Sequence, residues 1–197
     1  KNSMAIIKNI ILQIQNFLST SASKADFLQK LENFEIEFHY VINRIINNLR
    51  LEIFNRPKQY TIITCSYSST IKNILIHFSK IFRIDVYLIK SLFKNTDVSE
   101  QYINDFANST INAYSIGLDE IKSINGKVDF GIIGSDAVVI DKYIINGFPS
   151  LMLAKELSKL EYSLYVISEK LKFTEEIDPE EGFDKIPICL ITKIITD

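Results

Sequence analysis

The sequence predicts an α/β protein in which helices come first and a doubly wound, mainly parallel sheet follows. Three observations predict it. Residues 1–58 carry apolar side chains at helical spacing. From Tyr60 onward, short apolar runs alternate with amphipathic stretches, the pattern of βαβ units around a parallel sheet. Val128–Ile133 is a nearly unbroken apolar run closed by Gly134, which reads as a strand buried on both faces. The division falls between residues 1–58, a helical layer or subdomain, and residues 59–197, the sheet domain.

Ile7, Ile10, Ile11, Ile14, Phe17 and Leu18 predict a first amphipathic helix. Ser19–Ser23 is a polar break, and Ser23 fits the N-cap of a second helix. That helix is long. Phe27, Leu31, Phe34, Phe38, Val41, Ile45 and Leu49 form one stripe at steps of three and four, which suits packing against the first helix or along a partner. It should stop near Asn55-Arg56-Pro57, because Pro57 has no N–H to donate. Tyr60–Thr64 is the first strand, Cys65–Ser69 a polar loop, and Ile71 to Phe82 mark a helix. Asp85–Ile89 is the next strand and completes a βαβ unit, whose crossover should be right-handed. A helix from Ser99 to Phe106, a short strand Ile111–Ser115 and a short helix Leu118–Ile124 lead to the strand Val128–Ile133. Val138–Ile140 and Ile144–Ile145 flank Asp141-Lys142 and predict a small hairpin. Pro149 begins a helix through Leu160, and Tyr162–Ile167 is the last strand that the pattern defines. Glu175–Asp184 holds six acids and reads as a solvated loop, or more sharply as a lid or docking loop. Pro187–Asp197 is apolar again and should return to the body.

Composition narrows the function classes. The 197 residues are 47% hydrophobic and 23% charged, as a globular protein with a real core requires. A net charge of −2 without a basic block gives nucleic acid no obvious surface. Cys65 and Cys189 lie far apart, without a nearby Cys or His at metal-ligand spacing, so neither zinc nor a secreted disulfide framework is expected. That points to an intracellular, cytoplasmic protein. No apolar stretch is as long as a membrane span, and Lys8, Asn9, Gln13, Gln15 and Asn16 interrupt Met4–Leu18, so a signal-peptide core is not expected there.

Two loops are candidates for chemistry. Gly134-Ser135-Asp136 leaves the buried strand at its carboxyl end, where open α/β sheets bind ligands. Asp136 is the first candidate for a functional acid there, unless it merely braces the turn. Asn146, at the end of the hairpin, can face the same crevice. The second loop is Cys65–Thr70 (C-S-Y-S-S-T), between a strand and a helix. Its hydroxyls and amides suit an anion cradle at a helix N-terminus, or serve as a Ser-rich cap. There is no glycine-rich fingerprint and no P-loop lysine. His39 and His77 sit within helices, away from any nucleophile elbow, so a hydrolase triad is not expected. Cys65 is either a thiol activated at a helix N-terminus or a small buried apolar residue.

Four stretches together resemble one family. Ile62–Ser69 (I-I-T-C-S-Y-S-S), Asp85–Ser91 (D-V-Y-L-I-K-S), Val128–Asn146 and Gly182–Asp197 are similar, in order, to the alpha, beta and delta regulatory subunits of initiation factor 2B. That family also holds methylthioribose-1-phosphate isomerase and ribose-1,5-bisphosphate isomerase. The resemblance implies a helical N-terminal domain followed by a Rossmann-like domain, with a ligand crevice in the latter. It implies that Asp136 matches the isomerases' catalytic aspartate. The position of their catalytic cysteine is Ser66, with Cys65 one place early, and Tyr67-Ser68 resembles the regulatory-subunit version. Where relatives carry an arginine for phosphate, this chain reads Lys90-Ser91-Leu92-Phe93. Where they carry asparagine-lysine, it reads Asn146-Gly147. Each lost cation would remove charge-assisted hydrogen bonds of about 1.5–3 kcal/mol.

The resulting expectation is a non-catalytic, initiation-factor-2B-like regulatory or ligand-binding protein with no cofactor or metal. Its ligand-binding residues would be Cys65, Ser66, Tyr67, Ser68, Ser69, Lys90, Ser135 and Asn146. The family's regulatory subunits contact the initiation factor that binds guanine nucleotide and tRNA, so such a factor is an implied partner, and a phosphorylated small molecule an implied ligand. Two other readings stay open. One is an aldose-phosphate isomerase using Asp136, with Cys65 or Lys90 substituting for lost groups. The other is a sugar-phosphate or nucleotide sensor without a translation role. A homodimer or larger assembly is also expected, with residues 137–152 at the interface. Ile133, Val138, Val139, Ile140, Ile144, Ile145, Phe148, Leu151 and Met152 crowd that region beyond what one sheet face and one helix should bury.

Overall fold

The computed structural model describes residues 5–55, 59–93 and 96–197. Two helices open the chain, α1 (Ala5–Thr20) and α2 (Lys24–Glu52). Ser23 caps α2 as its position suggests. Its hydroxyl accepts the Asp26 N–H at 3.2 Å, and the Asp26 carboxylate accepts the Ala22 N–H at 2.9 Å. The helix ends at Glu52, earlier than expected. Ile53 and Phe54 both turn their N–H groups onto the Leu49 carbonyl (2.8 and 3.1 Å) and sink their side chains into the core. Pro57 lies outside the described residues.

The sheet domain follows. β1 (Tyr60–Thr64) and α3 (Ser69–Ser79) lead to β2 (Ile84–Ile89). A short pair, β3 (Leu92–Phe93) and β4 (Thr96–Asp97), precedes α4 (Val98–Phe106). β5 (Ile111–Ile116) leads through a 3-10 helix (Leu118–Ile124) to β6 (Phe130–Ile133). The expected hairpin is formed by β7 (Ala137–Val139) and β8 (Tyr143–Gly147), and α5 (Ser150–Lys159) and β9 (Leu164–Ile167) come next. β10 (Phe173–Thr174), β11 (Phe183–Pro187) and β12 (Lys193–Ile195) complete the chain.

Six strands form the main sheet in the order β12-β9-β6-β1-β2-β5, and every neighbouring pair is parallel. Counted within this sheet alone, that is the 3-2-1-4-5-6 order of a Rossmann sheet. The sequence pattern identifies five of these strands. β12 escapes it because three residues, Lys-Ile-Ile, carry too little periodicity. Side chains alternate between two cores. Tyr60, Ile62, Phe130, Ile132 and Ile167 face α2, α3 and α4. Ile63, Cys65, Ile133, Leu164 and Val166 face α5, the 3-10 helix and the hairpin. The long helix therefore packs its carboxyl-terminal half, through Ile45, Ile46 and Leu49, on the sheet. Its amino-terminal half meets α1, with Phe17 and Phe34 edge to face at 5.9 Å.

A second sheet, β10-β7-β8-β11, stands beside the first. The apolar tail does return to the body: β11 pairs antiparallel with β8, and β12 parallel with β9. This small sheet corrects the crowding argument for residues 133–152. Val138, Val139, Ile144 and Ile145 are at most 1% exposed within the single chain, and Ile133 is fully buried. The monomer buries them because two more strands and α1 cover the hairpin. Ile140, Phe148 and Met152 do remain exposed, at 57%, 50% and 48%. Among the described residues no helix is long and apolar enough to cross a membrane.

Phe54 joins the helical segment to the sheet. It stacks on Phe78 at 4.1 Å and meets Tyr60 at 4.8 Å and Phe130 at 5.9 Å, while only 2% exposed. Phe54→Ala is expected to cost about 3–5 kcal/mol, read as a lowered urea midpoint at unchanged slope. A loss below about 1 kcal/mol would show that the N-terminal helices are not part of the cooperative core.

Candidate ligand cleft at the switch point of the sheet

In an open parallel sheet the chain leaves neighbouring strands in opposite directions where their order reverses, and the loops there part to leave a crevice. In this protein the reversal lies between β1 and β6. The loops after them are Cys65–Ser68 and Gly134–Asp136, the two stretches that the sequence singles out. A cleft of about 410 Å³ opens there, within the size range of small-molecule sites. Ser66, Tyr67 and Asp136 line it, together with Val98 and Gln101 of α4, Gly147 at the end of β8, Phe148 after it, Gly182, and Phe183 at the start of β11.

Two glycines let the loops approach. A side chain at Gly134 would crowd Ser68, whose Oγ lies 3.0 Å from the place of the missing Cβ. One at Gly147 would collide with the Ser66 hydroxyl. Ser66 itself has φ 56°, a left-handed conformation that costs a non-glycine residue about 1–2 kcal/mol. This turn sends consecutive side chains in opposite directions: Ser66 lines the cleft, and Cys65 enters the core at 2% exposure.

Behind the cleft, Ser150 at the start of α5 gathers a buried polar cluster. Its hydroxyl donates to the Gly147 carbonyl at 2.6 Å and accepts the Asn146 amide at 2.7 Å. A serine has one O–H to give, so at the 3.3 Å contact with Cys65 the thiol is the donor. Burial pushes the Cys65 pKa up to about 12, with the neighbouring Asp184 charge acting the same way against the Ser150 hydrogen bond. Asp184 closes the cluster by accepting the Leu151 N–H at 2.9 Å, which places a carboxylate on the α5 N-terminus.

On the other side, Tyr67 donates its hydroxyl to Asp105 at 2.7 Å and packs on Tyr102 at 5.0 Å. Burial, then the bond to Asp105, raises its pKa, so it serves the cleft as a neutral wall. Ser68 caps α3 by accepting the Ile71 N–H at 3.3 Å, and its own N–H donates to the Tyr102 hydroxyl at 2.9 Å.

Of the sequence-derived candidates, Ser66, Tyr67 and Asp136 meet in the cleft. Asp136 is half-buried, and its N–H is fixed to the Ile145 carbonyl at 2.8 Å. Cys65, Ser135 and Asn146 are buried behind it and do not line it, and Ser68 is spent on the helix cap. Ser69, the first residue of α3, and Lys90, after β2, are exposed and outside it. Val98, Gln101, Phe148, Gly182 and Phe183 are lining residues that the sequence does not assign to the site. The one available signal was glycine placement, since Gly147 and Gly182 flank the aromatic residues that form the walls. Among the described residues no three His, Cys, Asp or Glu side chains converge to hold a metal.

The two thiols give a direct check. At pH 8 a maleimide is expected to label Cys189, which is exposed, and leave Cys65 untouched until denaturant is added. Rapid labelling of both thiols in the native protein would contradict the buried, protonated Cys65.

No protein-family model matches the sequence, and no curated protein matches it. Solved structures do match. The translation initiation factor eIF-2B of Pyrococcus horikoshii OT3 superposes with a TM-score of 0.78 at 18% identity, over 98% of this chain and 74% of that one. The tetrameric eIF2B-beta2-delta2 complex from C. thermophilum gives 0.79 at 14% identity, over 98% and 69%. eIF2B delta from Chaetomium thermophilum gives 0.80 at 14% identity, over 98% and 72%. At these identities the likeness is one of fold: this chain has the fold of initiation factor 2B subunits, the proteins that its motifs around Ser66, Asp136 and Gly182 resemble.

Proposed function

We propose that the chain is a non-catalytic, initiation-factor-2B-like protein, an oligomeric regulatory or ligand-binding subunit. The observation that carries this reading is the pair of opposed side chains at the first loop. Ser66 faces the cleft, and the Cys65 thiol is turned into the core and held protonated. An aldose-phosphate isomerase must move a proton between adjacent carbons with groups of matched pKa. Among the described residues lining the cleft, the titratable side chains are Asp136 and Tyr67, and Tyr67 is shifted further from neutrality. Turnover assays on ribose 1,5-bisphosphate and methylthioribose 1-phosphate are expected to show none. Activity that Asp136→Asn abolishes would overturn the reading. Affinity capture from native lysate is expected to return a translation initiation factor; recovery of metabolic enzymes without one would count against a role in translation.

Assembly belongs to the same proposal. Ile140, Phe148 and Met152 are each exposed apolar side chains in this stretch, and burying them favours association. One of the fold's neighbours is itself a tetrameric complex. A homodimer through residues 137–152 is the simplest closed arrangement for identical chains. Light scattering is expected to give at least twice the 22.7 kDa chain mass. Met152→Glu, at a half-exposed position, should return the protein to monomer with its fold intact. A monomer mass for the unmodified chain would contradict the proposed assembly.

A further inference from the structure

We infer that a second cavity, at the amino-terminal end of the main sheet, binds a small acidic amino acid, a molecule with two carboxylates and one ammonium. The site lies at the opposite end of the strands from the cleft and does not depend on the reading of the cleft. A cavity of about 540 Å³ opens there, where β1, β2 and β5 begin and α3 ends. Among the described residues its charged lining groups are Lys80, just after α3, Arg83, just before β2, and Asp85, the second residue of β2.

The two cations are unpaired. Among the described residues neither Lys80 nor Arg83 makes an ion pair. All 24 Asp and Glu side chains of the sequence lie within the described residues, so no carboxylate elsewhere in the chain offsets these charges. Residues 56–58, which precede the lining residue Gln59 in sequence, read Arg-Pro-Lys and add no acid. The anion is held differently. One oxygen of Asp85 accepts the Gln59 amide at 2.6 Å, and the other accepts the Asn112 amide at 2.7 Å. An ionised carboxylate has about four lone-pair sites, so Asp85 is fixed in place with capacity left for an ammonium. The cavity thus presents two positive charges and one negative charge that do not cancel one another.

The complementary ligand carries the inverse set. The Arg83 guanidinium offers a planar fork that matches one carboxylate, Lys80 a point charge for a second, and Asp85 an acceptor for an ammonium. A simple anion such as phosphate would leave Asp85 facing its own sign, and a simple cation would leave Lys80 and Arg83 facing theirs. Exposed Ile81 and part-buried Phe82 supply apolar surface for the short carbon chain between the charged groups. The backbone around the cavity is already tied down. The Tyr60 N–H donates to the Arg83 carbonyl at 2.9 Å, and the Ile81 and Phe82 N–H groups donate to the Phe78 carbonyl at 3.0 and 2.8 Å. The Thr110 hydroxyl donates to the Ser79 carbonyl at 2.7 Å. These bonds join the starts of β1, β2 and β5 to the end of α3, so a ligand does not have to order the chain it binds.

Calorimetric titration of the full chain tests this. The probes are L-glutamate and L-aspartate, their amides glutamine and asparagine, the diacids glutarate and succinate, and inorganic phosphate. At least one acidic amino acid is expected to bind. Its amide, which lacks one carboxylate, and its diacid, which lacks the ammonium, should each bind at least about tenfold more weakly, the equivalent of one charge-assisted hydrogen bond. Arg83→Gln, at an exposed position, should weaken the acidic amino acid at least about tenfold with the melting temperature of the free protein unchanged. Asp85→Asn should bring the diacid level with the amino acid. A diacid or phosphate that binds the unmodified chain as tightly as the acidic amino acid overturns the inference, as does an affinity that Arg83→Gln leaves unchanged. Silence from every probe overturns it too, and leaves the proposed function of the chain untouched.

Discussion

The reversal of strand order between β1 and β6 is the constraint on which the rest of this molecule depends. Parallel strands need crossovers, and crossovers of one hand place α3 and α4 on one face of the sheet and α5 on the other. The chain must leave β1 and β6 toward opposite faces, so their carboxyl ends cannot be closed over by a shared connection. The cleft is what remains. The aromatic cluster around Phe54 secures the N-terminal helices to one face, and the small sheet secures the hairpin to the other. Both loops of the cleft are thus anchored at positions that are at most a few per cent exposed.

Within that frame, a buried set of hydrogen bonds fixes the chain behind the cleft. Ser150 links the Gly147 carbonyl, the Asn146 amide and the Cys65 thiol in one buried set. Asp184 and Asp97 complete two helix starts. A buried polar group left without a partner costs about 1–3 kcal/mol, so each of these bonds constrains the loops as strongly as packing does. The arrangement leaves little freedom for the thiol to reach the cleft in place of Ser66.

Much of the fold was legible in the sequence. Five of the six main strands, the hairpin and the helices follow from period and punctuation, because each buries a face wide enough to leave a pattern. β12 and the pairing of β11 with β8 were not legible, since three and five residues of mixed character do not define a period. The site was legible where one loop follows one strand: Ser66, Tyr67 and Asp136 all come from the loops after β1 and β6. It was illegible where distant segments meet. Phe183 reaches the cleft only because β11 pairs with β8, and Val98 and Gln101 only because α4 packs beside α3. Cys65 stood between two readings in the sequence. The left-handed turn at Ser66 decides between them, and no residue in that stretch announces a left-handed turn as a glycine would.

Amide hydrogen exchange tests the placement of the site most directly. It would compare the free protein with the protein saturated by the small molecule that stabilises it most in a thermal-shift screen of nucleosides and phosphorylated metabolites. The account predicts slowed exchange confined to Ser66–Ser69, to Asp136 and Ala137, and to Gly147, Phe148 and Phe183, with β2 and β5 unchanged. Protection elsewhere, as along the opposite end of the sheet near Gln59 and Asn112, or none at all at the Ser66 and Asp136 loops, would contradict it.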